Sequence, residues 1–306
     1  MSARPAKKPR DLVDGVLLLD KPVGLSSNDA LIKAKRVLNA KKAGHTGTLD
    51  PFATGLLPLC FGEATKFSQD LLESDKRYEA SVHLGIMTTT GDTEGEVIEQ
   101  REVDVTPEQI EAALARFRGP ILQVPPMYSA LKRDGKALYE YAREGITLER
   151  DARPVTIHSL TLIEYSAPFL KIAVTCSKGT YVRVLGEDIG AALGCGAHLN
   201  ALRRTQVGAL TMAGMVTLDE LLAHPDPLSL LQPPDALLSS FPALALTAEL
   251  AKRFLQGQRL ALGKEDIAVP AELGRVRVYH DSRLLGTGQL GEYAILAPER
   301  LISTVA

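Results

Sequence analysis

The sequence predicts an α+β protein that ends in a small β barrel. Strand patterns and amphipathic helix patterns alternate along the chain as far as Met212, which is typical of a sheet with helices packed on it. A proline-rich stretch follows, and three short, closely spaced strand patterns occupy the C-terminal end. At 306 residues, 45% of them hydrophobic, the chain can bury one large core and one small one.

The first elements are predicted from apolar periodicity. GVLLLD, Gly15 to Asp20, is typical of a buried strand, and Ser26 or Ser27 is suited to cap the helix that follows. Arg77 to Leu84 alternates between apolar and polar residues. This alternation predicts a strand with Tyr78 on its apolar face.

The later elements follow the same logic. Pro107 to Phe117 predicts an amphipathic helix, and Val155 to Val174 contains two strand patterns. The TYVRVLGEDIG motif predicts a helix capped by Thr180. Beyond the prolines, Leu246 to Leu260 is helical in pattern, and the strands of the barrel are predicted in RVRVYH, LLGTGQL and EYAIL.

Cysteine spacing and hydropathy indicate the cellular compartment in which the protein is expected. The three cysteines are far apart, without a CxxC pair or metal-ligand spacing, which argues against a disulfide framework or a zinc site. A signal-peptide core is not evident, and no apolar run has the length of a membrane span. We therefore expect a protein of the cytoplasm that contacts no membrane.

Charge is distributed in blocks that the net charge of −2 conceals. Residues 1–50 hold ten Lys+Arg against five Asp+Glu, and residues 111–210 hold 13 against nine. Residues 51–110 and 211–306 are net acidic. The two basic blocks could form one positive face for a nucleic acid, or they could be solvated faces without a partner.

The segment GHTGTLDPFATGLLPLCFGEATK contains a single aspartate, Asp50, and four glycines. Taken alone, Asp50 before Pro51 is typical of an N-cap on a one-turn helix that ends at Gly55. Glycine is costly to order unless backbone or a ligand must come close, so the segment also fits a functional loop. Arg183, in the first turn of its helix, could form a bidentate pair with Asp50, or fold back to solvent or onto Asp188.

The stretch Val124 to Pro154 differs in kind from its surroundings. Prolines at its start are followed by basic residues interleaved with Tyr128 and Tyr139. Such a pattern suits base stacking and phosphate binding, and equally an exposed amphipathic helix. The candidate RNA-binding residues are Lys132, Arg133, Lys136 and Arg143.

Several signatures are missing from the sequence. We find no GxxxxGK[ST], no GxGxxG after a strand, no HExxH and no GxSxG. Nucleotide triphosphate, dinucleotide, zinc-protease and serine-hydrolase functions therefore lack their motifs.

Six motifs occur in order along the chain: LDKPVGLSSND, the Asp50 segment, RYEASVHLGIMTTTGDTEGE, PPMYSALKRDGKALYEYAREG, GTYVRVLGEDIG and GAHLNALRRTQVG. Together they resemble the bacterial tRNA pseudouridine-55 synthases of the TruB type. The likeness runs from about Gly15 to Gly208, and the tail more weakly resembles the RNA-binding PUA domain. The resemblance implies a mixed, largely antiparallel sheet flanked by helices, with the barrel behind it.

The resemblance also implies a reaction and a set of roles. One uridine in the T-loop of tRNA, at position 55, would be flipped out and converted to pseudouridine without cofactor or metal. Asp50 matches the catalytic aspartate, Arg183 its paired arginine and Tyr78 the tyrosine stacked on the target base. The remaining matched positions are Leu202 in the pocket, His45 where the base leaves the loop, Lys66 and Asp92 as nearby polar residues, and Lys21 as a support of the Asp50 loop.

The implied chemistry suits these residues. The carboxylate of Asp50 could attack the anomeric carbon or remove a ribose proton, and the sequence does not choose between the two. Both routes need Asp50 ionised, and we expect Arg183 to lower its pKa. A glycosidase would need a second acid, and Leu56 and Leu57 with Leu202 suggest a dry pocket, so an isomerase fits better than a hydrolase. A hydrolytic glycosylase and an RNA-binding folding helper remain the alternatives.

The expected organisation follows from the motifs and the composition shifts. The predicted parts are a basic tail at 1–12, a catalytic domain at 13–212 with an RNA-clamping insertion at 124–154, a linker at 213–245 and a PUA-like domain at 246–306. We expect a monomer whose partner is the T-arm of tRNA, with no obligate protein partner.

Overall fold

The computed structural model describes residues 9–265 and 267–303, so most of the predicted basic tail lies outside the described residues. The strands are, in chain order, β1 (Gly15–Lys21), β2 (Ala43–His45), β3 (Thr54–Phe61), β4 (Lys76–Leu84), β5 (Ile86–Thr88), β6 (Val97–Gln100), β7 (Gly119–Gln123), β8 (Lys132–Arg133), β9 (Lys136–Ala137), β10 (Arg153–Ser166), β11 (Phe169–Cys176), β12 (Ala197–Val207), β13 (Leu210–Thr211), β14 (Val216–Thr217), β15 (Ala243–Ala245), β16 (Leu260–Ala261), β17 (Gly274–His280), β18 (Arg283–Gly291) and β19 (Ile295–Leu301).

The helices interrupt these strands. They are α1 (Ser27–Val37), α2 (Ser68–Glu73), α3 (Pro107–Ala115), α4 (Leu138–Arg143), α5 (Val182–Ala192), α6 (Leu218–Ala223) and α7 (Ala248–Leu255). Within the described residues, no helix is both long and apolar enough to cross a membrane.

The main sheet has ten strands and confirms the predicted α+β class. Eight of them lie in the order β14-β1-β3-β12-β4-β11-β10-β7, while β2 pairs with β3 and β13 with β12. Pairing is parallel only between β1 and β14 and between β12 and β3. The sheet is therefore mixed and largely antiparallel.

The alternation predicted for Arg77 to Leu84 is present in β4. Its buried face carries Ala80, Val82 and Leu84, and Tyr78 lies half-buried on the same face. Because side chains on a strand alternate between faces, this pattern packs β4 against the core beneath α5.

One predicted helix cap is present in the structure and another is not. Ser26 caps α1, its hydroxyl accepting from the amide of Asp29 at 3.1 Å. The prediction that Thr180 caps α5 is wrong. Tyr181 is the N-cap residue, and the hydroxyl of Thr180 instead donates to the carbonyl of Ser177 at 2.9 Å.

The Asp50 segment does not form the one-turn helix that Asp50-Pro51 suggested. A turn closes from the amide of Ala53 to the carbonyl of Asp50, at 3.1 Å, and β3 begins directly after it. Gly55 has φ +98°, and a Cβ there would lie 2.3 Å from the carbonyl oxygen of Arg204. Glycine is therefore required where β3 and β12 approach each other.

The predicted insertion projects from the main sheet. Strands β8 and β9 form a separate two-stranded hairpin, and α4 follows it. The excursion begins after β7, the edge strand, and returns at β10, which pairs with β7.

The C-terminal part is a curled five-stranded sheet in the order β15-β17-β18-β19-β16. In the described residues its edge strands β15 and β16 do not pair with each other, so the predicted barrel is an open half-barrel. Leu284 of this sheet packs in one cluster with Val16 and Leu18 of β1. The stretch 213–245, predicted as a linker, supplies β14 to the main sheet and β15 to the C-terminal sheet.

Candidate active site

Asp50 lies on a turn whose neighbours are held from two sides. The amide of Leu49 donates to the hydroxyl of Ser27 at 2.7 Å, and that hydroxyl lies 3.1 Å from the carbonyl of Leu49. Behind the turn, the amine of Lys21 donates to the carbonyls of Leu25 at 2.6 Å and Pro51 at 3.3 Å. Lys21 thus contacts the loop of Asp50, where a supporting residue was expected. Burial lowers the pKa of the Lys21 amine to about 8.

Arg183 contacts Asp50 through one nitrogen. Its Nε lies 2.9 Å from Oδ2 of Asp50, and the guanidinium is only 4% exposed. The expected bidentate geometry is wrong, because the other two nitrogens donate to the carbonyls of Thr90 at 2.9 Å and Tyr128 at 2.6 Å. Arg183 therefore joins three segments: the Asp50 turn, the loop after β5 and the start of the insertion.

A second carboxylate faces the same guanidinium. Oδ2 of Asp92 lies 3.5 Å from Nε of Arg183, and Asp92 is buried. Its other oxygen accepts from the hydroxyl of Thr90 at 2.5 Å and from the amide of Glu94 at 3.0 Å. Asp92, expected near the active site, therefore lies beside the Asp50–Arg183 pair, and these contacts leave it little freedom to activate water.

The pKa of Asp50 differs in direction from the expectation. Burial raises the pKa of this carboxyl above its ordinary value, Arg183 opposes the rise, and the charge of Asp92 adds to it. Desolvation outweighs the guanidinium, so Arg183 limits an upward shift and does not produce a downward one. The nearby carboxyl of Glu94 also has a raised pKa, chiefly through burial.

Asp50 stands at the junction of two cavities. The inner cavity, about 340 Å³, is lined by Lys76, Tyr78, Leu202 and Arg204 among others. The outer cavity, about 870 Å³, is lined by the residues Ser26, His45, Glu94, Tyr128, Tyr139 and Arg143 among others. Asp50 and Arg183 line both, so a group bound between the cavities would meet the carboxylate.

Tyr78 and Leu202 line the inner cavity, as expected of a base pocket. The ring of Tyr78 is half-buried, and burial raises the pKa of its hydroxyl. The expectation that Leu56 and Leu57 line the pocket is wrong. Both lie in β3 with side chains fully buried in two different core clusters, because neighbouring residues on a strand point to opposite faces.

His45 lies at the end of β2 and lines the outer cavity. Its Nδ1 is buried and has no hydrogen-bond partner among the described residues. Burial lowers the pKa of this imidazole, and the charge of Arg204 lowers it further. His45 is therefore mainly neutral at pH 7.

The candidate RNA-binding side chains lie on the insertion. Lys132 and Arg133 are exposed on β8. The amine of Lys136 lies 2.6 Å from a carboxylate oxygen of Glu144. Arg143 lies over the ring of Tyr139 at 5.2 Å and lines the outer cavity with it.

Lys66 does not belong to this site, which corrects the expectation from the motif. Its amine lies 2.6 Å from a carboxylate oxygen of Glu63 and donates to the carbonyl of Leu301 at 2.8 Å. Lys66 lines neither cavity and ties the main sheet to the end of β19.

Arg204, Lys76 and Tyr181 were not singled out from the sequence. The guanidinium of Arg204 donates to the carbonyls of Leu56 at 2.8 Å and Gly47 at 3.2 Å, so it holds the glycine-rich segment against β12. The sequence could have pointed to Arg204 through the alternation of β12, in which Arg204 takes an inward position, but no strand was predicted for that segment.

Among the described residues, no group of three or more His, Cys, Asp or Glu side chains could hold a metal ion.

Comparisons with known proteins agree along the chain. Residues 35–182 match the TruB family pseudouridylate synthase N-terminal domain, and residues 183–239 match the tRNA pseudouridylate synthase B C-terminal domain. Residues 242–302 match the C-terminal domain of pseudouridine synthase II TruB.

Similar proteins cover nearly the whole length. The tRNA pseudouridine synthase B of Burkholderia lata is 64% identical over all of this chain and 95% of its own length. The same enzyme of Ralstonia nicotianae is 61% identical over 97% of this chain and 96% of its own. A chain from a solved Cbf5-Nop10-Gar1 complex is 26% identical, with a TM-score of 0.74 over 95% of this chain and 85% of that one.

The matched domains and the similar enzymes define the chain as a pseudouridine synthase, an enzyme of the isomerase class. The chain belongs to the TruB family of pseudouridylate synthases.

Proposed function

We propose that the protein converts one uridine in the T-loop of tRNA, position 55, to pseudouridine, and that Asp50 is its catalytic residue. The observation that carries the proposal is the position of Asp50, between the two cavities and 2.9 Å from a buried guanidinium. The relatives from Burkholderia lata and Ralstonia nicotianae, named as tRNA pseudouridine synthases, support tRNA as the substrate.

The two cavities suggest how the nucleotide binds. The target base enters the inner cavity and stacks on Tyr78, which offsets part of the few kcal/mol that flipping costs. The ribose then lies at the junction beside Asp50. In the outer cavity His45 fills the place that the base leaves, and Arg143 faces the backbone.

The reaction needs Asp50 as a carboxylate. Asp50 either attacks the anomeric carbon or removes a ribose proton, the base turns, and its C5 bonds to the same sugar carbon. Because burial raises the pKa of Asp50, Arg183 is needed to keep the carboxyl ionised at neutral pH. The reaction uses these side chains without a cofactor.

The outer parts of the chain extend the RNA surface. We assign residues 13–212 to catalysis and 124–154 to clamping the T-arm, because the basic hairpin β8-β9 and α4 project beside the outer cavity. Residues 246–306 form a PUA-like unit that adds affinity for tRNA. The protein acts as a monomer in the cytoplasm.

Mapping of pseudouridine in tRNA treated with the purified protein tests the proposal. We expect one new pseudouridine, at position 55, with nucleotide mass unchanged because isomerisation neither adds nor removes atoms. Glu94 is a second carboxyl in the outer cavity, so hydrolysis is the competing reaction. Release of free uracil, or modification elsewhere only, would overturn the proposal.

A further inference from the structure

Two buried cations line the inner cavity together with Asp50. The side chains are Lys76, 8% exposed, and Arg204, 1% exposed. In the described part of the chain, no carboxylate oxygen lies within 4.0 Å of either group. Burying a charge without a counter-ion is costly, so a fold that keeps two of them side by side needs a reason.

The sheet places both cations beside Tyr78. Lys76 and Tyr78 are two residues apart on β4, so their side chains emerge on one face. Arg204 is the cross-strand partner of Tyr78 on β12. A base stacked on Tyr78 would therefore lie next to both positive charges.

Neutral carbonyls satisfy the hydrogen bonds of these groups. The amine of Lys76 donates to the carbonyls of Leu71 at 3.0 Å and Leu72 at 2.7 Å. Arg204 donates to the carbonyls of Leu56 and Gly47. These contacts fix the cations in place without a carboxylate in ion-pair contact, and a fixed charge acts strongly in a buried site.

The reaction creates a negative charge at this position. When the bond between C1′ and N1 breaks, its electron pair leaves with the uracil, whose ring then carries negative charge spread over N1, O2 and O4. Asp50 compensates the sugar, by bonding to C1′ or by taking a ribose proton. C5 later bonds to C1′ as the bond from Asp50 to C1′ breaks, or as Asp50 returns the proton to the ribose. C5 then loses its hydrogen as a proton and N1 gains one, so the overall change is isomerisation.

We propose that Lys76 and Arg204 stabilise the detached uracil anion, which gives the inner cavity a preference for the transition state over the bound uridine. This inference rests on the proposed function. It assigns to these two cations an electrostatic role on the base that complements the role of Asp50 on the sugar. Burial lowers the pKa of the Lys76 amine to about 8, so the group is mainly cationic at neutral pH.

Single-turnover kinetics with two leaving bases tests the inference. Fluorine at C5 makes the departing base a weaker base, so 5-fluorouridine in the same T-arm RNA depends less on stabilisation of its anion. For Lys76→Met we expect cleavage of uridine to slow by roughly 10- to 100-fold, and cleavage of 5-fluorouridine to slow several-fold less. Lys76→Arg keeps the charge and should restore most of the uridine rate.

Controls separate charge from structure. Lys76→Gln accompanies Lys76→Met, so that a folding defect in one neutral variant does not remove the comparison. Lys66→Met removes another lysine that donates to a main-chain carbonyl but lines neither cavity, and its ratio of the two rates should equal the parental ratio.

The possible failures are distinct. If the parental protein does not isomerise uridine, the proposed function is wrong. If it does, and the neutral Lys76 variants slow both substrates equally or not at all, the charge has no role in leaving-group stabilisation and the inference is overturned.

Discussion

Arg183→Met removes a cation that two carboxylates share. The guanidinium nitrogen lies 2.9 Å from Asp50 and 3.5 Å from Asp92. Removing one partner of a buried ion pair costs about 3–5 kcal/mol. Because the Asp50 side chain is 35% exposed, solvent reduces that cost. We expect Arg183→Met to lose about 2–3 kcal/mol of transition-state stabilisation. This corresponds to a rate roughly 30- to 150-fold lower.

The pH dependence gives the sharper result. Burial already raises the pKa of Asp50, and Arg183 opposes that rise, so loss of the guanidinium moves the pKa further upward. Activity that needs the carboxylate is lost as the pH falls through this pKa. The acid limb of the single-turnover rate should therefore move to higher pH in Arg183→Met, when pseudouridine formation is followed across the acid and neutral range.

Arg183→Lys is the matched control, because it keeps the charge and loses the contacts to the carbonyls of Thr90 and Tyr128. Its rate should fall, but its acid limb should lie nearer to that of the parental protein. An acid limb for Arg183→Met at the parental pH would refute the claim that this guanidinium keeps Asp50 ionised.

Three further predictions concern the base, the RNA and the fold. Tyr78→Leu should lose about 1–3 kcal/mol of stacking on the target base and react correspondingly more slowly in single-turnover assays. Tyr78→Phe should keep most of the parental rate, and equal losses of rate in the two variants would argue against stacking. The double variant Lys132→Glu with Arg133→Glu should bind tRNA more weakly, and the slope of log K against log salt should decrease in magnitude by about 2. An unchanged slope would show that neither residue contacts the RNA. Leu284→Ala should lower the free energy of unfolding of the whole protein by about 2–4 kcal/mol, because Leu284 packs against β1. A single thermal transition is expected, and separate melting of the C-terminal sheet would contradict this.

The sequence was sufficient where a pattern is local or a motif is long. Alternation predicted β4 and the side on which Tyr78 lies, and the order of six motifs brought Asp50 and Arg183 together although 133 positions separate them. These predictions concern one strand face or one matched position, and each depends on few long-range contacts.

What the sequence missed depends on packing between distant segments. The Asp50 turn leads into β3 because β3 fits between β1 and β12, and this tertiary pairing overrides the capping preference of Asp-Pro. Lys66 was misplaced because its contact with Leu301 becomes visible only when the C-terminal sheet docks. The pKa of Asp50 was given the wrong direction because the motif shows the cation but not the degree of burial.

Replacement of Asp50 by Asn tests the central claim most directly. The amide has nearly the same shape, cannot act as the nucleophile or the base, and leaves the surrounding contacts of the loop in place. We expect tRNA binding within a few-fold of the parental value and no pseudouridine at position 55 in a single-turnover assay. Conversion by the Asn variant at the parental rate would contradict the assignment of Asp50 as the catalytic residue.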